Sequence, residues 1–392
     1  MTLRPFPLAA ARRVAPKFAE LRQSRTLRTA AALMFLWLIL AVHPGTRDAF
    51  LTSENLSNVT AQIAEIVIIG VGMTFVILTG GIDFSVGAGM ALFGTVAATL
   101  QIEHHQPAIV AIAAALGVSV LVGLWHGFLI AKVRIPPFIA TLGGFLAYRG
   151  LALLLSNSRG LSPMGSDFAF LGGRISPMAT TLLCIGGAAL AIAILTESDR
   201  RRRAFSLPAP SLWTRAGHAL VLAVVFLALL WTYREGMPVP VLLAAIITGM
   251  GGIMLGSSRL GRYAFAIGGN PEAARQSGIP VFRVQLSVYL LASVLTAVAG
   301  LVSAARTNGV TPGNMGLLRE LHVITAVVIG GTSLSGGRAT MVGTLLGALV
   351  FGTLSNGMNL LNLSSNWQLI LTGLILLSAS ALDSLSVNNE AP

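Results

Sequence analysis

Apolar residues run almost unbroken through this chain, and the polar positions gather in short intervals between the runs. A bilayer hydrocarbon core about 30 Å thick is crossed by around 20 helical residues. Runs of that order fall at residues 29–43, 60–79, 85–101, 107–131, 138–156, 178–196, 216–233, 239–257, 283–304, 321–333, 340–358 and 366–384. Several are short or broken by glycine, so the pattern predicts an all-α polytopic membrane protein with about 12 transmembrane helices, in the range of roughly 10 to 12. The first run ends at Ala41-Val42-His43-Pro44-Gly45. It lacks the small-residue pattern of a cleavage site, so it reads as a span and not as a removed signal peptide.

One polar interval, residues 258–282, differs from the others by carrying helix signals of its own. Gly268-Gly269-Asn270 leads into Pro271 and then Glu272-Ala273-Ala274-Arg275. Asn before Pro, with an acid in the first turn, is a helix start; Gly278 followed by Pro280 is a stop. The predicted helix has about two turns, too few to be stable alone in water. It therefore reads as a surface that packs on another protein.

Composition agrees with the pattern, and charge adds an orientation. Only 10% of the residues are charged and 54% are hydrophobic, with a mean hydropathy of +0.79, whereas a soluble domain carries roughly 25% charged residues. The net charge of +12 is mostly arginine placed between apolar runs, which points to orientation in a bilayer and away from nucleic acid. Arg12, Arg13, Lys17, Arg22, Arg25 and Arg28 place the N-terminus in the cytoplasm. On the same side fall Lys132 and Arg134, Arg200–Arg203 with Arg215, then Arg259, Arg262, Arg275 and Arg283, and finally Arg338. The opposite loops are poorer in arginine, the exception being residues 157–177, where Arg159 and Arg174 accompany Asp167. The expected division is a basic cytoplasmic segment at 1–28, a membrane domain at 29–385 with a cytoplasmic loop at 258–282, and a tail at 386–392 with both termini inside. The Arg200–Arg203 run reads as a topology anchor facing acidic lipid headgroups.

No catalytic set emerges. The chain has no H-E-x-x-H, no G-x-S-x-G and no phosphate-binding G-x-x-x-x-G-K-[S/T]. Its one cysteine, Cys184, lies in an apolar run and offers neither a disulfide nor a thiol metal site. No cofactor is expected, and any energy must come from an ion gradient or a separate subunit. Ionisable groups inside the spans are few: Glu65, Asp83, His126 and His322. Glu65 reads equally as a structural group, snorkelling to the interface or hydrogen-bonded to a neighbouring helix, or as a pathway group. Asp83 sits in Thr79-Gly80-Gly81-Ile82-Asp83-Phe84-Ser85, which resembles a broken helix, where it reads as an N-cap for the next span or as a substrate contact. Thr79, Asp83 and Ser85, with Asn308 and Asn359 in two outer polar breaks, are the pathway candidates. Gly343 with Gly347, and Gly252 with Gly256, have the spacing of close helix packing or of a dimer seam. A weak repeat sets Gly80–Gly87 beside Gly330–Gly337, both of the form G-G-x-x-[F/L]-S-x-G.

Five segments carry a resemblance: ILTGGIDFSVGAGMAL (77–92), PPFIATLGG (136–144), GRYAFAIGGNPEAARQSGI (261–279), AVVIGGTSLSGGRATMVGTLLGAL (326–349) and NGMNLLNLSSNWQLILTGLILL (356–377). Together they resemble the permease subunits of bacterial monosaccharide ABC importers of the ribose, galactose and xylose type. The resemblance implies a homodimeric pathway in the inner membrane, a cytoplasmic ABC ATPase and a periplasmic sugar-binding protein. It maps the family's ATPase-coupling segment onto Gly261, Arg262, Tyr263, Gly268, Gly269, Asn270, Glu272, Ala273, Ala274 and Gly278. Residues 175–236 are an inserted pair of spans relative to shorter ribose-type members, which makes the chain most similar to the xylose-type branch. An ABC permease for a nucleoside or branched-chain amino acid, or an ion-driven secondary carrier, are the alternatives.

Overall fold

Each of the apolar runs folds onto a single helix, and the computed structural model describes them through residues 25–206 and 210–388. Arg12, Arg13, Lys17, Arg22 and the last four residues of the predicted tail lie outside the described residues. In chain order the first helices are α1 (Arg25–Val42), α2 (Ser53–Leu78), α3 (Val86–Ala98), α4 (Ala108–Phe128) and α5 (Pro137–Leu155). A π-helical turn extends each of α3 and α4, at Thr99–Glu103 and Leu129–Val133. There follow α6 (Pro177–Ala204), α7 (Leu212–Thr232) and α8 (Val239–Ser257), then two short helices, α9 (Arg259–Gly269) and α10 (Pro271–Gln276). The chain closes with α11 (Val281–Arg306), α12 (Arg319–Ile329), α13 (Met341–Leu360) and α14 (Ser365–Asn388). Among the described residues, 9 helices are long and apolar enough to cross a membrane, and α1 and α14 contain shorter apolar stretches.

The helices depart from the hydropathy runs where polar residues start or prolong them. α2 begins at Ser53, well before residue 60, because Thr52 caps it through the Asn55 amide at 3.3 Å; a polar first turn reads as loop on hydropathy alone. α6 continues through Arg200–Arg203, so the basic run is helix and not loop. Cations in a last turn meet the negative end of the helix dipole, and Arg201 pairs with Glu197 one turn back at 2.9 Å. α12 has only 11 residues, about 16 Å of helix, so the predicted span at 321–333 is a half-span. The chain leading to it has already descended alongside α3: Met315 packs on Gly94, and the Gly316 backbone lies against Gly87.

The core is built around α2 and α11. Ile68, Met73, Phe75 and Ile77 of α2 are fully buried, and Val288, Tyr289 and Ala292 of α11 pack in the same cluster. A Cβ at Gly72 would meet the Ala292 backbone at 2.7 Å, so the two helices cross in contact. In a bilayer, where lipid is as apolar as leucine, such close approach and interhelical hydrogen bonds hold helices together. Two of these bonds are Thr74 Oγ1 to Thr344 Oγ1 and Ser293 Oγ to the Ser119 carbonyl, each 2.7 Å. Gly343 and Gly347 abut the α12 backbone at Gly330 and Ala326, so that pair serves packing within the chain. Gly252 and Gly256 do not: Gly251 makes the close contact of α8, against Val71, and Gly256 faces open space.

Candidate functional site

α10 is a two-turn helix whose caps account for its limits. The Asn270 side chain accepts from the amides of Glu272 (3.1 Å) and Ala273 (3.0 Å), with Pro271 at the first helical position. At the other end Gly278 takes φ +78°, and the Gly278 and Ile279 amides fold back to the carbonyls of Arg275 and Ala274 at 3.0 and 3.1 Å. A side chain at that φ would be strained. Ala274 is the buried foot of the helix, while Glu272, Ala273, Arg275 and Gln276 are exposed. The exposed face is small and polar, with Arg275 3.5 Å from Glu272.

Behind α10, helix α9 reaches the two glycine breaks of the bundle. A Cβ at Gly268 would collide with the Leu78 carbonyl and the Gly337 backbone, and the Gly337 amide donates to that same carbonyl at 3.0 Å. Leu78 ends α2, and Gly337 closes the loop after α12. Of the other segment residues, Gly261 packs on the α8 carbonyls of Met254 and Leu255, Arg262 donates to the Ser257 carbonyl at 2.9 Å, and Tyr263 is partly buried against the core. Gly269 lies beside Gly337. α9 therefore lies in contact with both breaks at Gly268 and Gly269.

The two breaks share a cap, in a register one residue away from the sequence repeat. After α2 the Gly80 amide bonds to Ile77 O and the Gly81 amide to Val76 O, at 2.9 and 3.0 Å; after α12 the Gly331 and Thr332 amides repeat this to Val328 O and Val327 O, at 2.8 and 3.2 Å. Gly80 and Gly331 both have positive φ, +80° and +94°. Gly80 thus corresponds to Gly331 and not to Gly330, and the demand of this cap for glycine explains the likeness.

Thr79, Asp83 and Ser85 come together at the first break. Thr79 is the C-cap of α2, and Asp83 Oδ1 accepts from the Ser85 amide (2.8 Å) and hydroxyl (2.6 Å). Asp83 closes a tight turn before α3, whose cap position is Ser85 itself. Thr141 of α5 pins the break by donating to the Ile82 carbonyl and accepting from the Phe84 amide, both 3.2 Å. Nearby lie two tyrosines and a histidine: a Cβ at Gly81 would strike the Tyr289 hydroxyl, and His126 bonds Tyr148 at 3.0 Å. His322 stacks on Phe351 instead. Asn308 and Asn359 lie elsewhere. Asn308 accepts from the Met164 amide at 3.1 Å and Asn359 from Gln368 at 2.8 Å, so each ties down a loop.

Sequence reasoning left Glu65 undecided and missed its partners. Its side chain is 0% exposed; Arg306 donates to Oε1 through Nε and Nη2 at 3.1 and 3.0 Å, and Arg319 Nη2 lies 3.0 Å from Oε2. Glu65 thus joins α2, the end of α11 and the start of α12. Arg149 was also missed: it holds the 310–318 loop through the carbonyls of Pro312 (2.5 Å) and Met315 (2.7 Å). An arginine in an apolar stretch of α5 was the available signal.

Comparison with known proteins agrees with this architecture. Residues 55–380 match the family model described as the branched-chain amino acid transport system permease component. The chain is 36% identical over 359 residues to the xylose transport system permease protein XylH of Escherichia coli K12, covering 91% of this chain and 89% of that one. It is 35% identical to XylH of Haemophilus influenzae, covering 92% and 97%, and 35% identical to the ribose import permease protein RbsC of E. coli K12, covering 90% and 92%. No solved structure matches it. A family model spanning most of the chain, together with sugar permeases matched nearly end to end, shows that the chain belongs to the family of sugar ABC-importer permeases.

Proposed function

We propose that this chain is the transmembrane subunit of an ATP-driven importer that carries a monosaccharide, D-xylose in preference to ribose, across the inner membrane. Two copies form the pathway, a separate cytoplasmic ATPase hydrolyses ATP, and a periplasmic sugar-binding protein delivers the sugar. The chain itself performs no catalysis. The preference for xylose rests on the inserted pair of spans at 175–236 and on the similarity to the xylose permeases of E. coli and H. influenzae.

The observation that carries the mechanism is the junction at Gly268, where the α9–α10 segment meets both glycine breaks. Closure of the nucleotide domains pushes on the exposed face of α10; α9 passes the motion to the ends of α2 and α12, and the helices rock about the capped breaks at Gly80 and Gly331. An ion-driven carrier finds less support, because the fully buried Glu65 is engaged by two arginines and serves to join three segments of the bundle.

The test is uptake and ATP hydrolysis in liposomes holding the permease, its ATPase and the binding protein. Glu272→Trp should abolish uptake while leaving membrane insertion intact and ATP hydrolysis running without transport; normal uptake would remove the coupling role. Labelled xylose and ribose, offered separately, then decide the sugar. Ribose uptake alone would change the substrate and keep the importer, whereas uptake independent of the ATPase and driven by a proton gradient would overturn the class.

A further inference from the structure

The α6–α7 pair holds a cleft whose lining includes no residue of the α9–α10 segment or of either glycine break. Between the two helices lies a cavity of about 750 Å³, with Leu195, Leu222 and Phe226 among its apolar walls and Arg202, Arg215 and His218 at the end where the helices connect. From Arg202 back to Ala188 the cavity follows about 21 Å of helix, longer than the roughly 15 Å depth of one hydrocarbon leaflet. The outer surface of the pair is apolar too, with Leu190, Ile194, Leu220 and Leu227 exposed, so the cleft opens within the hydrophobic layer. Its charged end is cationic in excess: Arg200–Arg203 and Arg215 stand against Glu197 and Asp199. Arg201 is taken by Glu197 at 2.9 Å and Arg215 by Asp199 at 3.3 Å. Among the described residues Arg200, Arg202 and Arg203 pair with no carboxylate.

An occupant of this cleft must bring an apolar chain and an anion together, and must arrive from the bilayer. We propose that the α6–α7 cleft is a binding site for an anionic glycerophospholipid, with an acyl chain along Leu195, Leu222 and Phe226 and the phosphate at Arg202 and Arg215. Asp199 competes with the phosphate for Arg215 and sets the affinity.

The test uses the full-length chain, purified in detergent, stripped of lipid and offered phosphatidylglycerol or phosphatidylcholine with the same acyl chains. Bound lipid is counted by native mass spectrometry. Phosphatidylglycerol should be retained in preference, and the double variant Arg202→Gln/Arg215→Gln should lose that preference, each arginine at an anionic surface being worth about five-fold. Asp199→Asn should strengthen retention, which a merely structural role for that acid would not do. Ala223→Trp, which fills the cleft, should lower retention of both lipids. Lys132→Gln/Arg134→Gln, in another basic loop, should change nothing. Equal retention by the parent and the Arg202/Arg215 variant overturns the proposal. So does displacement of the lipid by inorganic phosphate or glycerol phosphate at equal concentration, which would make the site one for a free anion. Efficient Ile192→Cys cross-linking between two copies in lipid-replete membranes would assign the face to a second copy and overturn it as well.

Discussion

The α2–α11 core and the α6–α7 pair are both built from long apolar helices, yet they place those residues against different surroundings. In the most apolar stretch of α2, 89% of residues are buried within the chain; in α6 the share is 11% and in α7 it is 0%. Composition does not separate them. What separates them is small and paired residues: α2 carries Gly70, Gly72, Thr74 and Glu65, each with a partner on another helix, while Gly186, Gly187 and Gly217 of the pair have nothing near them. In a bilayer an apolar surface gains nothing by leaving lipid for protein, so helix packing follows close contacts and polar pairs and not hydrophobicity. The core is held by such contacts; the pair joins α8 through the cluster of Cys184, Tyr233 and Met237 and reaches α2 through the Tyr233 hydroxyl bond to Thr60 at 2.9 Å.

The sharpest way to break this contrast is to remove the charge that three core segments share. Glu65→Ala leaves Arg306 and Arg319 facing one another with no carboxylate between them; loss of one partner from a buried ion pair costs about 3–5 kcal/mol, and the lower end applies here because the two arginine side chains are 29% and 23% exposed. Thermal unfolding of the purified permease should show the largest drop of any single substitution considered. A Glu65→Ala protein as stable as the parent would mean that the network is solvated and carries no load.

Next in size is Gly268→Val, which drives a branched side chain into the Leu78 carbonyl and the Gly337 backbone. Overpacking of a tight contact costs about 1–3 kcal/mol, and because both breaks are touched at once, uptake should fail in the fraction that folds. Gly256→Val, on the open face of α8, is the paired control and should leave uptake and stability near the parent values. Should the two valines behave alike, the junction at α9 is not a close contact.

These predictions also mark what could be read before folding. The helix runs were legible because each span needs its own apolar length, and α10 was legible because Asn270, Pro271 and Gly278 carry cap chemistry within a few residues of one another. The partners were not. Arg306 and Glu65 are 241 positions apart, and in the sequence nothing about Arg306 and Arg319, two basic residues in an outer loop, marks Glu65 as their partner. The half-length of α12 was hidden for a related reason: hydropathy counts apolar residues through Ser333 and is blind to where the chain enters the layer, which the contacts of Met315 and Gly316 with α3 decide. The repeat at Gly80 and Gly330 was seen, but its register depends on which residue takes positive φ, and that follows from where α2 and α12 end.

The smallest effect is expected from the largest change. The ends of the α6–α7–α8 connection meet: the Ile175 amide donates to Met237 O at 3.0 Å and the Val239 amide to Gly173 O at 2.9 Å. A stretch that leaves and returns at one point is replaceable by a short linker without moving its flanks, and removing two helices together keeps the direction of every later span. Replacing residues 177–235 by a few glycines and serines should therefore give a protein that inserts and keeps the Glu65 network, with stability lowered only by the loss of contacts such as Tyr233 to Thr60, about 1 kcal/mol for that hydrogen bond. Sugar uptake with the native ATPase and binding protein is the measurement. Uptake retained within a few-fold would show that the pair rides on the permease as a lipid-facing attachment, whereas uptake lost with insertion and stability intact would place it in the transport cycle and make its thin packing a sign of movement.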